Sequence, residues 1–430
     1  MSGASKRIFR YCITTSDQKT GTECSRCLYT TDHPLGLIIE KNGICSGCHI
    51  HEEKNKLDWM HRWSKLKQLV KPYRSLNKKN YDCIVPVSGA QDSYFILYIV
   101  KERLKLNPLL VTYNKHYNTP LGISNLSNLR TRHNCDILIQ NVNPISTRKI
   151  TRATLTRFGS VYWHCLAGQT SFPVQIAVRN KIPLIIWGAH QGLEQVGMFS
   201  HMHEVQMTRR YRKDHDLLGY ESDDLLSFFD NLHEEDIWQY RYPDDKAINQ
   251  IGVVGIYLSN YIRWDPKAQH EQMISKYGYR TSKFKRTFDC YDYVDCFNYM
   301  NLHDQLKLLK HGFSKVTDHA CREIRHGRMT RGQALNLVRY YQQQPPENLD
   351  LFCRWLGISF NGLNFLLNRF RNPKFWQLKT PGKWILKNSN LSKHQNKNSS
   401  LPFKKPFYVN NELVTHEKHH KYITFGKGYP

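Results

Sequence analysis

A buried-strand pattern that runs directly into a turn of small residues is the feature that most constrains how this chain can fold. Residues 81–87, YDCIVPV, form a continuous apolar run of the kind found in buried parallel strands. Residues 88–93, SGAQDS, follow at once, and residues 94–104 are predicted to form an apolar helix. Backbone N–H groups of such a turn, with the positive end of the helix dipole, point at a bound anion. The segment predicts a phosphate-binding loop, although an ordinary strand-to-helix connection capped by Ser93 has the same composition.

Strand and helix patterns alternate after this turn. Strands are predicted at 109–113, 135–142 and 184–187, and helices at 121–133 and 167–180. This alternation predicts an α/β fold with a doubly wound parallel sheet that binds a nucleotide at the carboxyl ends of its strands. Five residues at predicted strand ends would then lie at the active edge, namely Tyr113, Asn114, His116, Trp187 and Gly188. For Tyr113 and Trp187, packing in the core is an equally good interpretation.

Two CxxC pairs precede the sheet and predict a metal site. Cys24 and Cys27 are separated from Cys45 and Cys48 by seventeen residues, within the range typical of zinc knuckles. Four thiolates complete a tetrahedron and leave no open position, so the expected Zn²⁺ is structural. The alternative is four unrelated core cysteines. Residues 43–47, GICSG, also match a nucleophile elbow, but Cys45 is needed for the second knuckle and no long buried strand precedes it.

The charge of the chain favours a phosphate-bearing partner. Sixty-two Lys and Arg against 36 Asp and Glu give a formal net charge of +26, which attracts nucleotides, nucleic acid or nucleotide-linked sugars without distinguishing them. The first twenty residues lack the apolar region of a secretory signal, and the longest apolar runs are too short to span a bilayer. We therefore expect a cytoplasmic protein with no transmembrane segment.

The turn at 88–93 resembles the SGGxDS signature of the PP-loop ATPases, with Ala90 in place of the second glycine. A longer ordered series of segments resembles the N-acetyl sugar amidotransferases, PP-loop enzymes of bacterial surface-polysaccharide and flagellin-sugar pathways. The series comprises the N-terminal cysteines, residues 108–114 with His116 and Asn118, and residues 163–165, 172–188, 264–270, 287–297 and 317–325. Succession in this order, over about residues 20–340, is more specific than any one motif.

The resemblance implies an ATP-dependent, AMP-forming amidotransferase. Such an enzyme adenylates the acetamido oxygen of a nucleotide-linked N-acetyl sugar and replaces it with ammonia-derived nitrogen, which gives an acetamidino sugar for O-antigen, lipopolysaccharide or surface-glycan biosynthesis. The implied cofactors are ATP, Mg²⁺ and structural Zn²⁺. The implied ammonia source is a partner that resembles the glutaminase and cyclase pair of imidazole glycerol phosphate synthase.

The resemblance also implies roles for individual residues. Asp92, Ser88 and Ser93 are the candidate catalytic residues, with Asp92 orienting Mg²⁺ or the loop. The candidate ATP-binding residues are Val87, Ser88, Gly89, Ala90, Gln91, Asp92, Ser93, Tyr113, Trp187 and Gly188. The candidate substrate-binding residues are Asn114, His116, Asn118, His164, Cys165, Asp318, His319, Arg322 and Arg325. The candidate metal ligands are Cys24, Cys27, Cys45 and Cys48.

Four regions are predicted along the chain. Residues 1–75 hold the zinc ribbon, at 22–50, and a linking helix; residues 76–262 form the PP-loop ATP-binding domain. Residues 263–372 are predicted to be helical, with helices at 301–310, 315–326 and 330–343. Residues 373–430 are rich in Lys and Arg and are predicted to be a basic, partly disordered tail.

Other interpretations stay open at this stage. A tRNA-modifying PP-loop enzyme, thiolating or lysidine-forming, explains the zinc ribbon and the basic charge equally well, so nucleic acid stays open as an alternative partner. Thiolation normally needs a second thiol near Cys165, for which Cys83 and Cys135 are the candidates on predicted strands. A degenerate loop that binds nucleotide without turnover is the non-enzymatic alternative. The arginines at 322 to 328 could bind a diphosphate or form a solvated charged face.

Overall fold

Five short strands form a parallel sheet in the computed structural model, which describes residues 21–75, 77–387 and 407. The strands are β1 (Cys83–Pro86), β2 (Pro108–Tyr113), β3 (Ile137–Gln140), β4 (Leu184–Trp187) and β5 (Val254–Tyr257). Their order across the sheet is β3-β2-β1-β4-β5, and every neighbouring pair is parallel. The predicted doubly wound α/β fold is confirmed, with β5 added at the edge beyond β4.

Helices cover both faces of the sheet and build the remainder of the described chain. In chain order they are α1 (Ser46–Glu53), α2 (Trp59–Val70), α3 (Gln91–Leu97), α4 (Pro120–His133), α5 (Pro144–Phe158), α6 (Trp163–Arg179), α7 (Arg209–Tyr211), α8 (Ser222–Leu226), α9 (Glu234–Ile237), α10 (Asp245–Ile251), α11 (Pro266–Tyr277), α12 (Asp304–His311), α13 (Lys315–Arg325), α14 (Arg331–Gln342), α15 (Leu349–Leu356) and α16 (Phe360–Arg369). A π turn, Tyr98–Arg103, continues α3.

Alternate strand residues bury on opposite faces of the sheet, as the two-residue period of a strand requires. Ile84 of β1 and Val111 of β2 pack with Phe172 of α6 on one face. Val85 and Leu110 pack on the other face, in a core formed with α3, α4 and α11. Because helices cover both faces, the strands are almost wholly apolar rather than alternating with polar residues.

The strand order places a crevice at the carboxyl end of β1. Strand β2, which follows β1 in the chain, lies on one side of β1, and β4 lies on its other side. The connections that leave β1 and β4 therefore run in opposite directions across the sheet. Open α/β sheets bind their ligands at such a switch point. The turn that begins at Ser88 leaves β1 there, and Gly188 leaves β4 beside it.

The helical region at 263–372 packs directly onto the sheet domain. Trp264 is 2% exposed, and its ring contacts Phe95 of α3 edge-to-face at 5.5 Å. The helical character of this region is confirmed, whereas the predicted boundaries between domains stay predictions. Among the described helices, none combines the length and apolar character that crossing a bilayer requires.

The start of the predicted basic tail contains a β-hairpin, and the partial disorder of the tail stays a prediction. Strands β6 (Trp376–Thr380) and β7 (Lys383–Leu386) form an antiparallel hairpin. The guanidinium of Arg371 lies over the rings of Trp376 and Trp384, at 4.8 and 5.3 Å. Cation–π contacts of this kind, added to the hairpin ladder, explain the order that composition alone concealed. The remainder of the predicted tail, 388–406 and 408–430, lies outside the described residues.

Candidate functional site

The turn after β1 is held by hydrogen bonds between its own serines and backbone. The N–H of Ser88 donates to Oγ of Ser93 at 2.8 Å, and the N–H of Ala90 donates to Oγ of Ser88 at 3.2 Å. Gln91 and Asp92 then open α3, so the positive end of the helix faces the turn. The predicted strand–turn–helix arrangement is present, in the geometry that binds phosphate.

Glycine is required at position 89 by close packing. A Cβ atom there would lie 1.9 Å from the backbone oxygen of Gly122 in α4. The carbonyl of Gly89 also accepts a hydrogen bond from Nδ2 of Asn125 at 3.2 Å. Ala90 has φ −101° and ψ 178°, an extended conformation that any residue adopts, so the alanine at this position does not strain the turn.

A cavity of about 630 Å³ opens over the turn and extends to α12 and α13. Ligand-binding cavities commonly measure about 300–1,000 Å³. Thirteen of the predicted site residues line it, namely Val87, Ser88, Ala90, Gln91, Asp92, Ser93, Tyr113, Trp187, Gly188, Asp318, His319, Arg322 and Arg325. The chain therefore brings the turn, the end of β4 and the charged helix α13 to one cavity.

Asp92 is the loop carboxylate best placed to meet a cation. Its side chain is 38% exposed in the cavity wall, and Oδ1 lies 3.2 Å from Nε2 of His270. An exposed carboxylate oxygen beside a phosphate loop suits Mg²⁺, which is usually bound by one or two carboxylates together with substrate phosphates. The donor chemistry at Asp92 therefore fits the Mg²⁺ that the resemblance implies.

Trp187 and Tyr113 each end a strand, but their polar atoms differ in hydrogen bonding. The Nε1 atom of Trp187 is buried without a partner among the described residues, and Arg212 covers the ring at 4.6 Å. Tyr113 is 4% exposed, and its hydroxyl is bonded to Tyr240 at 2.9 Å and to His164 at 3.1 Å. A buried unpaired donor in a cavity wall favours ligand contact for Trp187, whereas the bonds of Tyr113 favour packing.

Three candidate substrate residues at the end of β2 bond to one another and do not line the cavity. Nδ2 of Asn114 donates to Asn141 at 2.7 Å, and its Oδ1 accepts from Nδ2 of Asn118 at 2.6 Å. Nε2 of His116 lies 3.4 Å from the hydroxyl of Thr147. These bonds stabilise the connection that leaves β2.

His164 and Cys165 are likewise outside the cavity wall. Both are buried, and their side chains contact each other, with Sγ of Cys165 3.5 Å from Nε2 of His164. Burial lowers the pKa of His164 and raises the pKa of the Cys165 thiol well above its usual range. Because a reactive cysteine needs thiolate character and access, these facts oppose a nucleophilic role for Cys165. Cys83, one candidate partner thiol, lies at the opposite end of β1 from the turn.

A chain of hydrogen bonds joins the turn to α13 through the segment 287–295. Nε2 of Gln91 donates to Oδ1 of Asp292 at 2.6 Å, and Oδ2 of Asp292 lies 2.9 Å from Nε2 of His319. Nδ1 of His319 in turn lies 2.7 Å from the hydroxyl of Thr287. Asp292 has a lowered pKa because His319 and Arg322 outweigh the effect of burial. Sequence reasoning missed Asp292, although it lies within a segment that carries the family resemblance.

The same segment contains a second group that could hold a cation. Ligand atoms of Asp289, Asp292 and His319 lie within 4.8 Å of one another. Arg322 already donates to Oδ2 of Asp289 at 2.5 Å. A guanidinium in this position supplies the positive charge that a metal would otherwise provide.

The arginines at 322, 325 and 328 are paired with protein groups. Arg322 donates to Asp289 and, at 2.9 Å, to Glu323. Arg328, just after α13, donates to both oxygens of Asp265, at 2.9 and 2.8 Å. Arg325 donates to the carbonyl of Gln195 at 2.6 Å. The guanidiniums therefore hold elements together, and the binding of a diphosphate by Arg322 and Arg325 stays a prediction.

A buried ion pair fixes the segment 287–295 against the end of β2. The ammonium of Lys115 contacts a carboxylate oxygen of Asp295, and the two side chains are only 4% and 6% exposed. Burial acts to lower the pKa of Lys115, but Asp295 outweighs it and raises the pKa above its usual value. The second carboxylate oxygen of Asp295 is buried without a partner among the described residues.

We predict that Lys115→Met destabilises the protein by about 3–5 kcal/mol, because it leaves the Asp295 carboxylate buried and unpaired. The double variant Lys115→Met/Asp295→Leu should recover most of this loss. Unfolding in urea measures both, with Lys276→Met as the control. Lys276 pairs with Glu102 at the surface, where the two side chains are 43% and 34% exposed, and a surface pair contributes about 0–1 kcal/mol. Equal losses of stability in Lys115→Met and Lys276→Met would contradict the prediction.

The four predicted metal ligands converge in the N-terminal region. The sulfurs of Cys24, Cys27, Cys45 and Cys48 all lie within 4.8 Å of one another, and all four residues are fully buried. The distance between Sγ of Cys27 and Sγ of Cys45 is 3.6 Å, close to the roughly 3.8 Å that four Zn–S bonds of about 2.3 Å require. The predicted four-cysteine cluster is confirmed, and its donor set fits structural Zn²⁺.

Groups around the cluster suit a negatively charged zinc–thiolate centre. Sγ of Cys24 accepts from the backbone N–H of Cys45 at 3.3 Å and of Cys27 at 3.5 Å. Nη2 of Arg325 lies 3.6 Å from Sγ of Cys45. Hydrogen bonds and a positive charge in the surroundings stabilise thiolate ligands. Arg325 thus links the cluster to α13.

Comparison with protein families gives one match in the C-terminal part of the chain. Residues 267–389 match the model described as LPS biosynthesis protein WbpG-like, C-terminal domain. This match confirms the resemblance drawn from the sequence over those residues. It covers nearly all of α11, then α12 to α16 and the hairpin, and it includes Asp318, His319 and Arg322 of the cavity wall.

Among curated proteins, the chain is similar to an uncharacterized protein, MJ1599, of Methanocaldococcus jannaschii. The two are 30% identical over 122 residues, which is 28% of this chain and 42% of that protein. The match therefore spans less than half the length of this relative.

Two solved structures are similar over about half of the chain. An NH3-dependent NAD synthetase from Campylobacter jejuni is 13% identical, over 45% of this chain and 92% of that one, with a TM-score of 0.27. An NMN synthetase from Francisella tularensis is 11% identical, over 51% of this chain and 96% of that one, with a TM-score of 0.24. Because these scores are low, the assignment of the fold rests on the strand order of this chain.

Proposed function

Residues 267–389 match the WbpG-like family of LPS biosynthesis proteins, and from this premise we propose that the chain is an ATP-dependent amidotransferase of surface-glycan biosynthesis. Its substrate would be a nucleotide-linked N-acetyl sugar, and its product the corresponding acetamidino sugar. The observation that carries the proposal is the Ser88–Ser93 turn at the carboxyl end of β1, open to a cavity whose other wall belongs to the matched region.

The turn and the first turn of α3 are proposed to bind the phosphates of ATP. Backbone N–H groups and the hydroxyls of Ser88 and Ser93 are the donors, and the helix dipole adds positive potential. Asp92 would hold Mg²⁺, which supplies neutralisation of phosphate charge when it is bound. Trp187 and Gly188, which end the neighbouring strand, form the wall against which the nucleoside would lie.

The reaction then proceeds in two displacements. The acetamido oxygen of the sugar attacks the α-phosphorus of ATP, the bond from that phosphorus to the bridging oxygen breaks, and pyrophosphate leaves. Ammonia adds to the activated carbon, loses a proton, and AMP leaves with the former acetamido oxygen. Positioning of the two substrates and stabilisation of negative charge supply most of the catalysis.

We assign a positioning role to the pair His319 and Asp292. Both side chains line the cavity, and the carboxylate lies 2.9 Å from Nε2 of the imidazole. Thr287 occupies Nδ1 of the ring, and Gln91 of the turn donates to the other oxygen of Asp292. Because both ring nitrogens are bonded to protein groups, the pair fixes α13 relative to the turn and does not act as a general base. Ammonia is proposed to come from a partner glutaminase and cyclase pair.

Incubation of the protein with ATP, Mg²⁺, ammonium and UDP-N-acetylglucosamine tests this function. We expect AMP release that depends on the sugar, and a product in which NH replaces one oxygen, identified by high-resolution mass spectrometry. Asp92→Asn should lower the rate by about 100-fold, because it removes the carboxylate proposed to meet Mg²⁺.

Asp245→Asn is the matched control, since Asp245 is 81% exposed and lies outside the cavity wall. AMP formation that is indifferent to the sugar would contradict the proposal. AMP formation that depends instead on added tRNA would favour the tRNA-modifying alternative.

A further inference from the structure

Three lysines gather at the end of the cavity formed by α12 and α13. Lys307, Lys310 and Lys315 line this end, together with Asp318. The ammonium of Lys307 contacts Oδ2 of Asp318, and the ammonium of Lys315 lies 3.4 Å from the same oxygen. The other oxygen of Asp318 accepts from the hydroxyl of Tyr29 at 2.8 Å. One carboxylate is thus shared by two lysines.

Lys310 forms no ion pair within the described part of the chain. Its ammonium donates to the backbone carbonyls of Phe158 and Gly159, at 3.1 and 3.3 Å. Burial lowers its pKa to about 8, so the group is still mostly protonated at neutral pH. Carbonyl oxygens orient an ammonium without cancelling its charge.

The other titratable groups nearby do not restore neutrality. Asp304 is matched by Arg286, whose Nε donates to it at 2.8 Å. His33, His303 and His311 also line this end, and burial lowers the pKa of each to about 3, so all three are neutral. Asp292 also acts on Lys315, so three ammonium groups face two carboxylates, and an excess of positive charge remains in a partly buried wall. An excess of positive charge in a concave, partly desolvated site is attractive to an anion.

Asp292 connects the phosphate loop to the helix that carries one of the lysines. Gln91 of the loop donates to one oxygen of Asp292, and His319 of α13 contacts the other. Lys315 begins α13, one helical turn before His319. The loop and the three lysines thus line one cavity, with the Asp292–His319 pair joining the elements that carry them.

We propose that Lys307, Lys310 and Lys315 form a second anion subsite, which holds the phosphate groups of a phosphorylated co-substrate while ATP occupies the Ser88–Ser93 turn. The naming of that co-substrate as a nucleotide-linked sugar rests on the proposed function; the subsite itself rests on the charge and the geometry of the cavity. The subsite adds these lysines to the arginines of α13 as candidate diphosphate contacts, because Lys310 forms no ion pair among the described residues.

Calorimetric titration with UDP-N-acetylglucosamine tests the subsite in protein saturated with α,β-methylene-ATP and Mg²⁺. We expect Lys310→Gln to weaken binding of the sugar nucleotide about tenfold, and Lys307→Gln/Lys310→Gln about 100-fold, since each removes a charge-assisted contact to phosphate. Lys310→Arg, which keeps the charge, should stay within about threefold of the wild type.

Lys310→Gln is the informative variant because it leaves no carboxylate unpaired, so folding should be preserved. Lys65→Gln is the matched control: Lys65 is 49% exposed and pairs with Glu204 away from the cavity. Affinity for α,β-methylene-ATP should change less than twofold in every variant, which also verifies that the protein is folded.

Each of three outcomes would overturn the subsite. Unchanged affinity for the sugar nucleotide in the double variant would show that the lysines do not contact it. An equal loss for α,β-methylene-ATP would show that the lysines bind the phosphates of ATP itself. Failure of the loaded wild-type protein to bind either UDP-N-acetylglucosamine or inorganic pyrophosphate would leave the subsite without a ligand. If instead the lysine variants weaken binding but no sugar-dependent AMP appears, the subsite stands and the proposed reaction is wrong.

Discussion

Gly89→Ala is expected to lower ATP-dependent AMP formation by about 100-fold while the protein stays folded. The new methyl group would lie 1.9 Å from the backbone oxygen of Gly122, and backbone atoms of α4 cannot move aside as a flexible side chain would. Gly122 is itself confined, because its own Cβ would lie 2.3 Å from Cα of Asp295. The turn must therefore shift, and a displacement of about 1 Å in a substrate-positioning group can cost about 100-fold in rate.

The cost of Gly89→Ala in stability should be about 1–3 kcal/mol, which is typical of an overpacked site. Gly332→Ala is the control, because Gly332 lies in α14 with no atom near the added methyl group. That control should be neutral or stabilising by about 1 kcal/mol, as alanine is the better helix former. Steady-state AMP formation measures the effect of both variants on activity, and thermal unfolding measures their effect on stability. A Gly89→Ala enzyme with wild-type activity would show that the turn is not the ATP site.

The central strands and the loop between them were predictable because local sequence and tertiary role agree there. The run at 81–87 is apolar as a buried parallel strand must be, and β1 forms within it. Helix α5 was missed, although Asn143 caps it and Pro144 begins it, because its threonine-rich sequence has low helix propensity. Strand β5 was missed because Gly255 interrupts its apolar pattern; the structure explains the glycine, since Met207 packs too closely there for a side chain.

The candidate site was predictable where its residues share a motif, end a predicted strand or belong to a segment that carries the resemblance. The turn at 88–93 and the four cysteines are contiguous or regularly spaced, so their sequence alone brings them together. Lys307, Lys310 and Lys315 look like ordinary surface lysines in the sequence, and only the packing of α12 and α13 against the end of the cavity reveals their shared role. The sequence does not show that Arg322 and Arg325 are bonded to an acidic group and a carbonyl, because these partners come from distant segments.

Cys45→Ser is expected to release zinc and to destabilise the protein by about 4 kcal/mol or more, among the largest losses that a single substitution causes. The cysteine cluster packs against the rest of the described chain. Helix α1 packs against residues 192–197, where a Cβ on Gly197 would lie 2.4 Å from the carbonyl oxygen of Ser46. Cys321 of α13 accepts a hydrogen bond from the N–H of Leu28 at 3.3 Å. Loss of the metal should therefore loosen α13 as well as the ribbon.

Elemental mass spectrometry measures the release of zinc, and thermal unfolding measures the loss of stability. Binding of UDP-N-acetylglucosamine reports the loosening of α13. The wild type should hold about one zinc ion per chain, as four thiolates require. Cys135→Ser is the matched control, since Cys135 is equally a buried cysteine, 8% exposed, but lies far from the cluster in sequence and packs in the core of the sheet domain. Because Lys315 and Asp318 belong to α13, sugar-nucleotide affinity should fall in Cys45→Ser and not in the control. A Cys45→Ser protein that loses its zinc but melts at the wild-type temperature would exclude the metal as the element that joins the ribbon to the cavity, and one that keeps its zinc would exclude Cys45 as a required ligand.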